Sequence, residues 1–264
     1  MSELVYAIVS IYDNAELLPH FIAHYSALGV SRILVVIRSP TRGEMYEIAA
    51  AEAAREGVSA YWFPATSFAD SDKAEVEWQV LQSSGVQPDD YVMHLDLDEF
   101  QEYPAPLADI VRAMNANDDW ALRGWIIDRV AEDGRLAAIS RTPSIGEQYP
   151  VACRATEVLL DAWTQKIVLC RGRVRLQGGV RHDTENARYD RVPIGTPDQY
   201  VVHHFKWLKG LDVRLSRRLA DGSLSGKYAT ECRRFLDYFG RYGGIDLSDS
   251  RLMARRVGAL RSAC

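Results

Sequence analysis

Four carboxylates lie in the stretch Asp90-Tyr91-Val92-Met93-His94-Leu95-Asp96-Leu97-Asp98-Glu99-Phe100, where an apolar run ends in Asp-x-Asp-Glu. Residues 89–103 hold six acidic side chains and no basic one. Carboxylates at that density repel one another unless solvent or a cation compensates. On a strand, Asp96 and Asp98 would share one face with His94, and Leu95 and Leu97 would take the other. Ligands of open α/β sheets bind at the carboxyl ends of the strands. A divalent cation is the natural compensator there, and Mg²⁺ or Mn²⁺ favours hard oxygen ligands and brings substrate phosphates with it. A solvated acidic strand end is the plainer explanation. It accounts less well for Asp-x-Asp-Glu placed after three β-α units.

The elements that must position this stretch are legible from periodicity. Residues 4–11 form a nearly continuous apolar run, the pattern of a buried, parallel strand. Asp13 and Glu16 have capping-box spacing before a helix predicted over 14–28, and Gly29 closes it. Strands at 32–37, 58–63 and 91–97 alternate with helices at 43–56, 72–84 and 106–116. This β-α rhythm predicts a mostly parallel, Rossmann-like sheet covered on both faces. The rhythm then breaks. Asp133-Gly134 predicts a hairpin between strands 120–127 and 135–139, and Arg171-Gly172 a second one between 165–170 and 173–176. Residues 178–200 read as loop and 200–205 as a short strand, followed by helices near 207–220, 227–239 and 249–261. The division expected is residues 1–115 as an α/β half ending in the acidic stretch, fused to a mixed half at 116–264.

Charge follows the same division. Among the 264 residues, the first 132 carry 22 acidic and 8 basic side chains, and the rest carry 14 and 23. Hydrophobic content of 47% and charged content of 25% are ordinary for a globular chain and exclude disorder. No apolar run reaches 18 residues, so no transmembrane helix is expected, and Met1-Ser2-Glu3-Leu4 lacks the basic start of a signal peptide. Cys153, Cys170, Cys232 and Cys264 form no CxxC and read as reduced thiols of a cytoplasmic protein. The acidic balance, pI about 5.7, argues against a nucleic-acid partner. Arg251–Arg261 is basic with apolar residues between. A solvated helix packed on its own domain is favoured there, and weak peripheral contact with the inner membrane surface is the alternative.

The opening Ser10-Ile11-Tyr12-Asp13-Asn14-Ala15-Glu16-Leu17-Leu18, with His24-Tyr25 and Leu28-Gly29-Val30, resembles the N-terminal signature of glycosyltransferase family 2-like proteins. Asp96-Leu97-Asp98-Glu99-Phe100 resembles their DxDEF. Lys166-Ile167-Val168, the stretch Gly179–His182, and His203-His204-Phe205-Lys206 are similar to later landmarks. The resemblance implies a GT-A-type fold and an enzyme: a metal-dependent glycosyltransferase that moves a sugar from a nucleotide-diphosphate donor to an acceptor hydroxyl, with inversion. It implies Mn²⁺ or Mg²⁺ on Asp96 and Asp98, with His182 as third ligand and His204 as a further candidate. Ser10, Tyr12, Asn14 and Glu16 match the nucleotide-binding positions by placement, and Tyr12 can stack on a base. Where the family commonly has an Asp after the second strand, this chain has Arg38-Ser39-Pro40; Arg38 is then a contact for phosphate or for a different base.

The basic half supplies cations for a diphosphate: Lys166, Arg171, Arg173, Arg175, Arg181, Lys206 and Lys209. An inverting transferase also needs a base for the acceptor hydroxyl. Asp128, at the end of Trp125-Ile126-Ile127, is the first candidate, followed by Glu157 and Asp183. Trp125, Trp163 and Trp207 suit either sugar stacking or core packing. His20 and His24 read as structural or as the acceptor rim. The acceptor would be a carbohydrate, a lipid-linked molecule or a small molecule. Two other readings compete. A sugar nucleotidyltransferase would open with a Gly-rich, basic loop, and Ser10–Glu16 has neither feature. A catalytically inactive carbohydrate-binding GT-A protein would have no need of an intact DxDE.

Overall fold

The apolar run at the head of the chain forms β1 (Val5–Ile11), every residue of which is buried except Ser10. In the computed structural model, the described residues are 3–12, 14–65, 70–176, 199–220, 222, 224 and 226–260. After β1 come α1 (Leu18–Leu28), β2 (Arg32–Ser39), α2 (Glu44–Arg55), β3 (Ser59–Pro64), α3 (Asp70–Ser83), β4 (Tyr91–Leu95), β5 (Glu99–Glu102), α4 (Leu107–Asn117) and β6 (Ala121–Val130). The remainder is α5 (Ile145–Gln148), β7 (Val151–Cys153), α6 (Ala155–Leu160), β8 (Gln165–Arg171), β9 (Val201–His204), α7 (Leu211–Ala220), α8 (Gly226–Tyr242) and β10 (Arg255–Arg256). The chain divides into two compact units, residues 1–125, 165–202 and 261–264 in one, and 126–164 and 203–260 in the other.

The first unit is the expected α/β, Rossmann-like arrangement with a mostly parallel sheet. Strands β3, β2, β1 and β4 run parallel in that order, in register at Tyr6↔Arg32, Val5↔Tyr91 and Leu34↔Ser59. β8 then pairs antiparallel with β4, and the first half of β6 antiparallel with β8. Alternation along the strands sets the core. Tyr6, Ile8, Leu34, Val36 and Val92 pack on one face with Val80 and Leu81 of α3. α1 begins four residues later than its periodicity suggests, because Pro19 presets its first turn and Asn14 accepts the Glu16 N–H at 2.7 Å ahead of it. Asp13 lies outside the described residues. Gly124 of β6 shows how closely the strands approach. A Cβ there would stand 2.6 Å from the Tyr200 carbonyl oxygen and 2.7 Å from Val168 Cγ1. Gly124→Ala should therefore cost about 1–3 kcal/mol, read as a lower melting temperature. A melting curve identical to wild type would contradict this.

In the second unit, β7 pairs antiparallel with the second half of β6 and with β10. Here two local expectations fail against non-local pairing. Residues 135–139 form no hairpin partner for β6. Ala137 bridges Leu208, and Gly134 accepts from the Ile245 N–H at 2.7 Å. The helix expected over 249–261 is a single 3-10 turn at Ser250–Leu252 followed by β10. Asp249 accepts from the Arg251 N–H, and Met253 takes a left-handed conformation that ends the turn. No amphipathic helix face forms among the described residues of that basic stretch. In the first unit the hairpin after β8 is also absent, because Gly172 N–H donates to Asp90 O and Arg173 N–H to Pro88 O, which ties the chain to the turn before β4. Among the described residues, no helix is long and apolar enough to cross a membrane.

Candidate functional site

β4 ends at Leu95, two residues earlier than predicted, so Asp96, Leu97 and Asp98 form a turn and not a strand end. Glu99 N–H donates to Asp96 O at 3.1 Å to close it, and Asp96 N–H donates to Glu99 Oε2 at 3.2 Å. The turn is held by a lysine from each side. Lys166 Nζ of β8 donates to Asp96 Oδ2 at 2.6 Å and also to Glu99 Oε1. Lys73 Nζ of α3 donates to Asp96 Oδ1. Lys73, Lys166 and Glu99 are buried, while Asp96 and Asp98 are half-buried. Two ammonium groups against two carboxylates make the cluster neutral, the condition under which charges can be buried at all.

The surrounding elements fix this cluster in place. Lys73 and Glu77 are one turn apart on α3, and His94 of β4 stands two residues before Asp96 of the turn. Glu77 Oε2 stands 3.2 Å from His94 Nδ1, so this contact and the Lys73–Asp96 ion pair bind the same helix face to the end of β4. On the other side, α1 fastens β5. Tyr25 hydroxyl donates to Glu99 O at 3.0 Å and accepts from Gln101 N–H at 3.1 Å, and His24 Nε2 stands 2.8 Å from Gln101 O. The His24-Tyr25 pair thus holds the backbone that carries Glu99. A pocket of about 20 Å³ lies between Lys73, Glu77, Trp78, His94 and Arg175.

The residues matched to nucleotide binding gather at the carboxyl ends of β1 and β2. Ser10 Oγ is buried and has no hydrogen-bond partner among the described residues. The Arg38 guanidinium, 2% exposed, lies 6.0 Å from the centre of the Tyr12 ring. Beside it, Arg42 stacks over Tyr46 at 5.4 Å and Trp62 at 4.9 Å, and Trp62 Nε1–H donates to Ser39 Oγ. Asn14 caps the following turn, and Glu16 is exposed. Other basic candidates lie elsewhere. Arg171 pairs in register with Tyr91 at the amino end of β4, the end remote from Asp96, and Arg173 there pairs with Asp89. Arg175 bonds Glu75 at 3.0 Å.

In the second unit, Asp128 has no exposed surface. Its carboxylate accepts from Thr156 N–H at 2.6 Å, the Thr156 hydroxyl at 2.6 Å and Trp207 Nε1–H at 2.8 Å, and His204 Nδ1 stands 3.3 Å away. Burial raises its pKa; the bonds from His204 and Thr156 overcome burial and leave it below the ordinary aspartate value. The adjacent His203 points to the opposite face, its Nδ1 3.3 Å from Nη1 of the buried Arg129. Glu157 is bound by Arg154 at 2.6 Å, and Lys206 Nζ lies 5.8 Å over the Tyr228 ring. Trp207 is core, Trp125 half-buried and Trp163 exposed. Arg181, His182, Asp183 and the Gly179–His182 stretch lie outside the described residues. Cys153 and Cys170 are free thiols pushed up to about 12 by burial, which leaves them protonated and unreactive at neutral pH.

Sequence reasoning did not find Lys73, Glu77 or Thr156. The first two carry a signal, the i,i+4 spacing that complements the His94–Asp96 parity. Thr156 carries none, being 28 residues from Asp128 and reached only through the fold. For a divalent cation the donor set is decisive. Both Asp96 oxygens already accept from ammonium groups, and no group of three His, Cys, Asp or Glu side chains converges among the described residues. Among the described residues no all-protein cage for a divalent cation forms; Mg²⁺ and Mn²⁺ commonly keep waters and substrate oxygens among their ligands.

No protein-family model matches the chain, and no curated protein matches it. Among solved structures, the chain is similar to 4-diphosphocytidyl-2C-methyl-D-erythritol synthase at 12% identity, over 66% of this chain and 77% of that one, with a TM-score of 0.39. It is similar to S. aureus TarS at 8% identity over 94% of this chain and 44% of that one, TM-score 0.41. The 1–349 portion of TarS gives 9% identity, 90% and 72% coverage, and TM-score 0.41. The chain therefore spans less than half the length of the longer TarS structure.

Proposed function

We propose that the chain is a glycosyltransferase that moves a sugar, with inversion, from a nucleotide-diphosphate donor to the hydroxyl of a carbohydrate, lipid-linked or small-molecule acceptor. One observation carries this reading. The Asp96-Leu97-Asp98-Glu99 turn stands at the carboxyl end of the parallel strand β4, next to β1, whose end holds the unpartnered Ser10 hydroxyl. Carboxyl ends of adjacent parallel strands are where nucleotides bind in open α/β sheets. The segment from Ser10 to Glu16 has no glycine and no basic residue, which disfavours the nucleotidyltransferase alternative.

The chain's own residues then divide the work. Ser10 and Tyr12 take the nucleoside, Tyr12 by stacking and the Ser10 hydroxyl by hydrogen bonding. Arg38 brings only donors to the position where the related family has an acceptor. It therefore suits a base edge rich in acceptors, or a phosphate. Lys166 and Lys73 keep the Asp96–Glu99 turn rigid, so that Asp98 is presented in one geometry. Asp98 would hold Mn²⁺ or Mg²⁺, which supplies positive charge against the departing diphosphate when bound.

Asp98→Asn tests the assignment. Release of nucleoside diphosphate from UDP-, GDP-, CDP- and dTDP-linked sugars in the presence of Mn²⁺ should fall by about 10²-fold or more, the scale of losing one preorganised electrostatic group. The half-buried side chain at this position should leave the melting temperature close to wild type. Undiminished release would remove Asp98 from the site.

A further inference from the structure

Arg42, in the segment that follows β2, is an exposed cation seated on two aromatic rings. Its guanidinium lies 5.4 Å from the centre of the Tyr46 ring of α2 and 4.9 Å from that of Trp62 of β3. Among the described residues it forms no ion pair and no hydrogen bond, although Glu44 and Glu47 follow it in the first turn of α2. The platform under it is fixed. Trp62 pairs in register with Ile37 and donates its Nε1–H to Ser39 Oγ at 3.1 Å. The Ser39 hydroxyl donates to Thr41 O at 2.8 Å, and Ser39 O accepts from Ala65 N–H at 3.1 Å. The segment that carries Arg42 is thus tied down at Ser39 and Thr41, and the two rings steady the guanidinium itself. Donors held in place in this way cost a ligand little ordering entropy. All of these residues belong to the first unit, at the end of the parallel sheet where ligands of such sheets bind.

We propose that Arg42 selects the nucleobase of the donor and that this base is guanine or cytosine; this rests on the transferase reading above. The run Arg38-Ser39-Pro40-Thr41-Arg42 holds two guanidinium groups and no carboxylate. A guanidinium is a planar fork of N–H donors with no acceptor. It complements a base edge that presents two adjacent acceptors. Guanine has such an edge in O6 and N7, and cytosine in O2 and N3. Uracil sets N3–H between its two carbonyls, and adenine sets its amino group beside N7 and N1. Each of these would turn a donor toward the fork, so the same residue that attracts the first two bases rejects the others.

Titration calorimetry of the full chain with GDP, CDP, UDP and ADP, all at one Mn²⁺ concentration, tests it. The four ligands share ribose and diphosphate, so differences in Kd report the base. GDP or CDP should bind about 5–150-fold more tightly than UDP and ADP, the worth of one two-pronged base contact. Whichever of the two is preferred names the base. Arg42→Lys keeps the charge and loses the fork, and Arg42→Met loses both. In each, the preferred nucleotide should fall to within about threefold of the others, while UDP keeps its wild-type Kd in Arg42→Lys. Both variants should melt within about 2 °C of wild type, because the side chain is exposed. Tightest binding of UDP or ADP overturns the proposal and leaves the transferase reading in place. So does a preference that survives in Arg42→Lys, and so does equal binding of all four, which is what a guanidinium bound to phosphate would give. Binding of none of the four overturns the transferase reading, and the proposal with it.

Discussion

Lys166→Met should lower the folding stability by about 3–5 kcal/mol, the cost of breaking a buried ion pair from one side. Lys166 is 3% exposed, and its ammonium is shared between Asp96 and Glu99. Met fills nearly the same space, so little packing is lost and the effect is electrostatic. Glu99, also 3% exposed, is the residue left stranded. For a chain of this size each kcal/mol moves the melting temperature by about 2–4 °C, so the expected fall is about 6–20 °C in thermal unfolding. Adding Glu99→Gln to Lys166→Met should recover part of the loss, because the two sites share one interaction. A melting temperature within about 2 °C of wild type would show that the lysine does not neutralise the turn. Lys73→Met should cost less, since its partner Asp96 keeps about a third of its side chain in solvent, where screening weakens the pair.

Asp128→Leu should be similarly severe, about 3–5 kcal/mol, because it orphans the Thr156 N–H, the Thr156 hydroxyl and the Trp207 indole N–H in a place water does not reach. Asp128→Asn keeps an acceptor oxygen and should cost less. The pair also has a pH signature. The Asp128 carboxyl is held below its ordinary value in the folded protein, against the opposing effect of burial. A group of this kind stabilises the fold at pH above its unfolded pKa, and that stability is lost as pH falls through the folded pKa. The wild-type advantage over Asp128→Asn should therefore be full at pH 7 and shrink below about pH 4, the ordinary aspartate range. Denaturant unfolding at pH 7, 5, 4 and 3 measures it. A gap that widens toward acid pH would mean that Asp128 is protonated in the native state.

Where local physics decided the structure, the sequence was enough. Val5–Ile11, Arg32–Ser39 and Tyr91–Leu95 are strands buried on both faces, and their continuous apolar runs carry that fact directly. Their alternation with helix-length segments gave the intervening helices, and Gly29 closes α1 in the left-handed conformation expected of it. The acidic turn was located but its geometry was not. Alternation put Asp96 and Asp98 on one strand face, yet the strand stops at Leu95, because the Glu99 side chain and N–H fold the backbone of Asp96 into a turn. The failures share a cause. Asp133-Gly134 and Arg171-Gly172 do make tight bends, but the segments after them bond to Ile245, Leu208, Pro88 and Asp90, partners far away in sequence. Asp128 was singled out as the carboxylate ending Trp125-Ile126-Ile127, but β6 runs on to Val130. Its enclosure by Thr156 and Trp207 depends on tertiary contacts that no periodicity encodes.

Nucleotide binding at the carboxyl end of the parallel sheet is the claim on which the rest depends. A thermal-shift screen of UDP-, GDP-, CDP- and dTDP-linked sugars, each with and without Mn²⁺, tests it most directly. A donor at about 100 times its Kd should add about 2.7 kcal/mol of stability, enough to raise the melting temperature by about 5–10 °C, and more with Mn²⁺ present than without. The Mn²⁺-dependent part of the shift should disappear in Asp98→Asn. A melting temperature that no nucleotide sugar moves, with or without Mn²⁺, would contradict it.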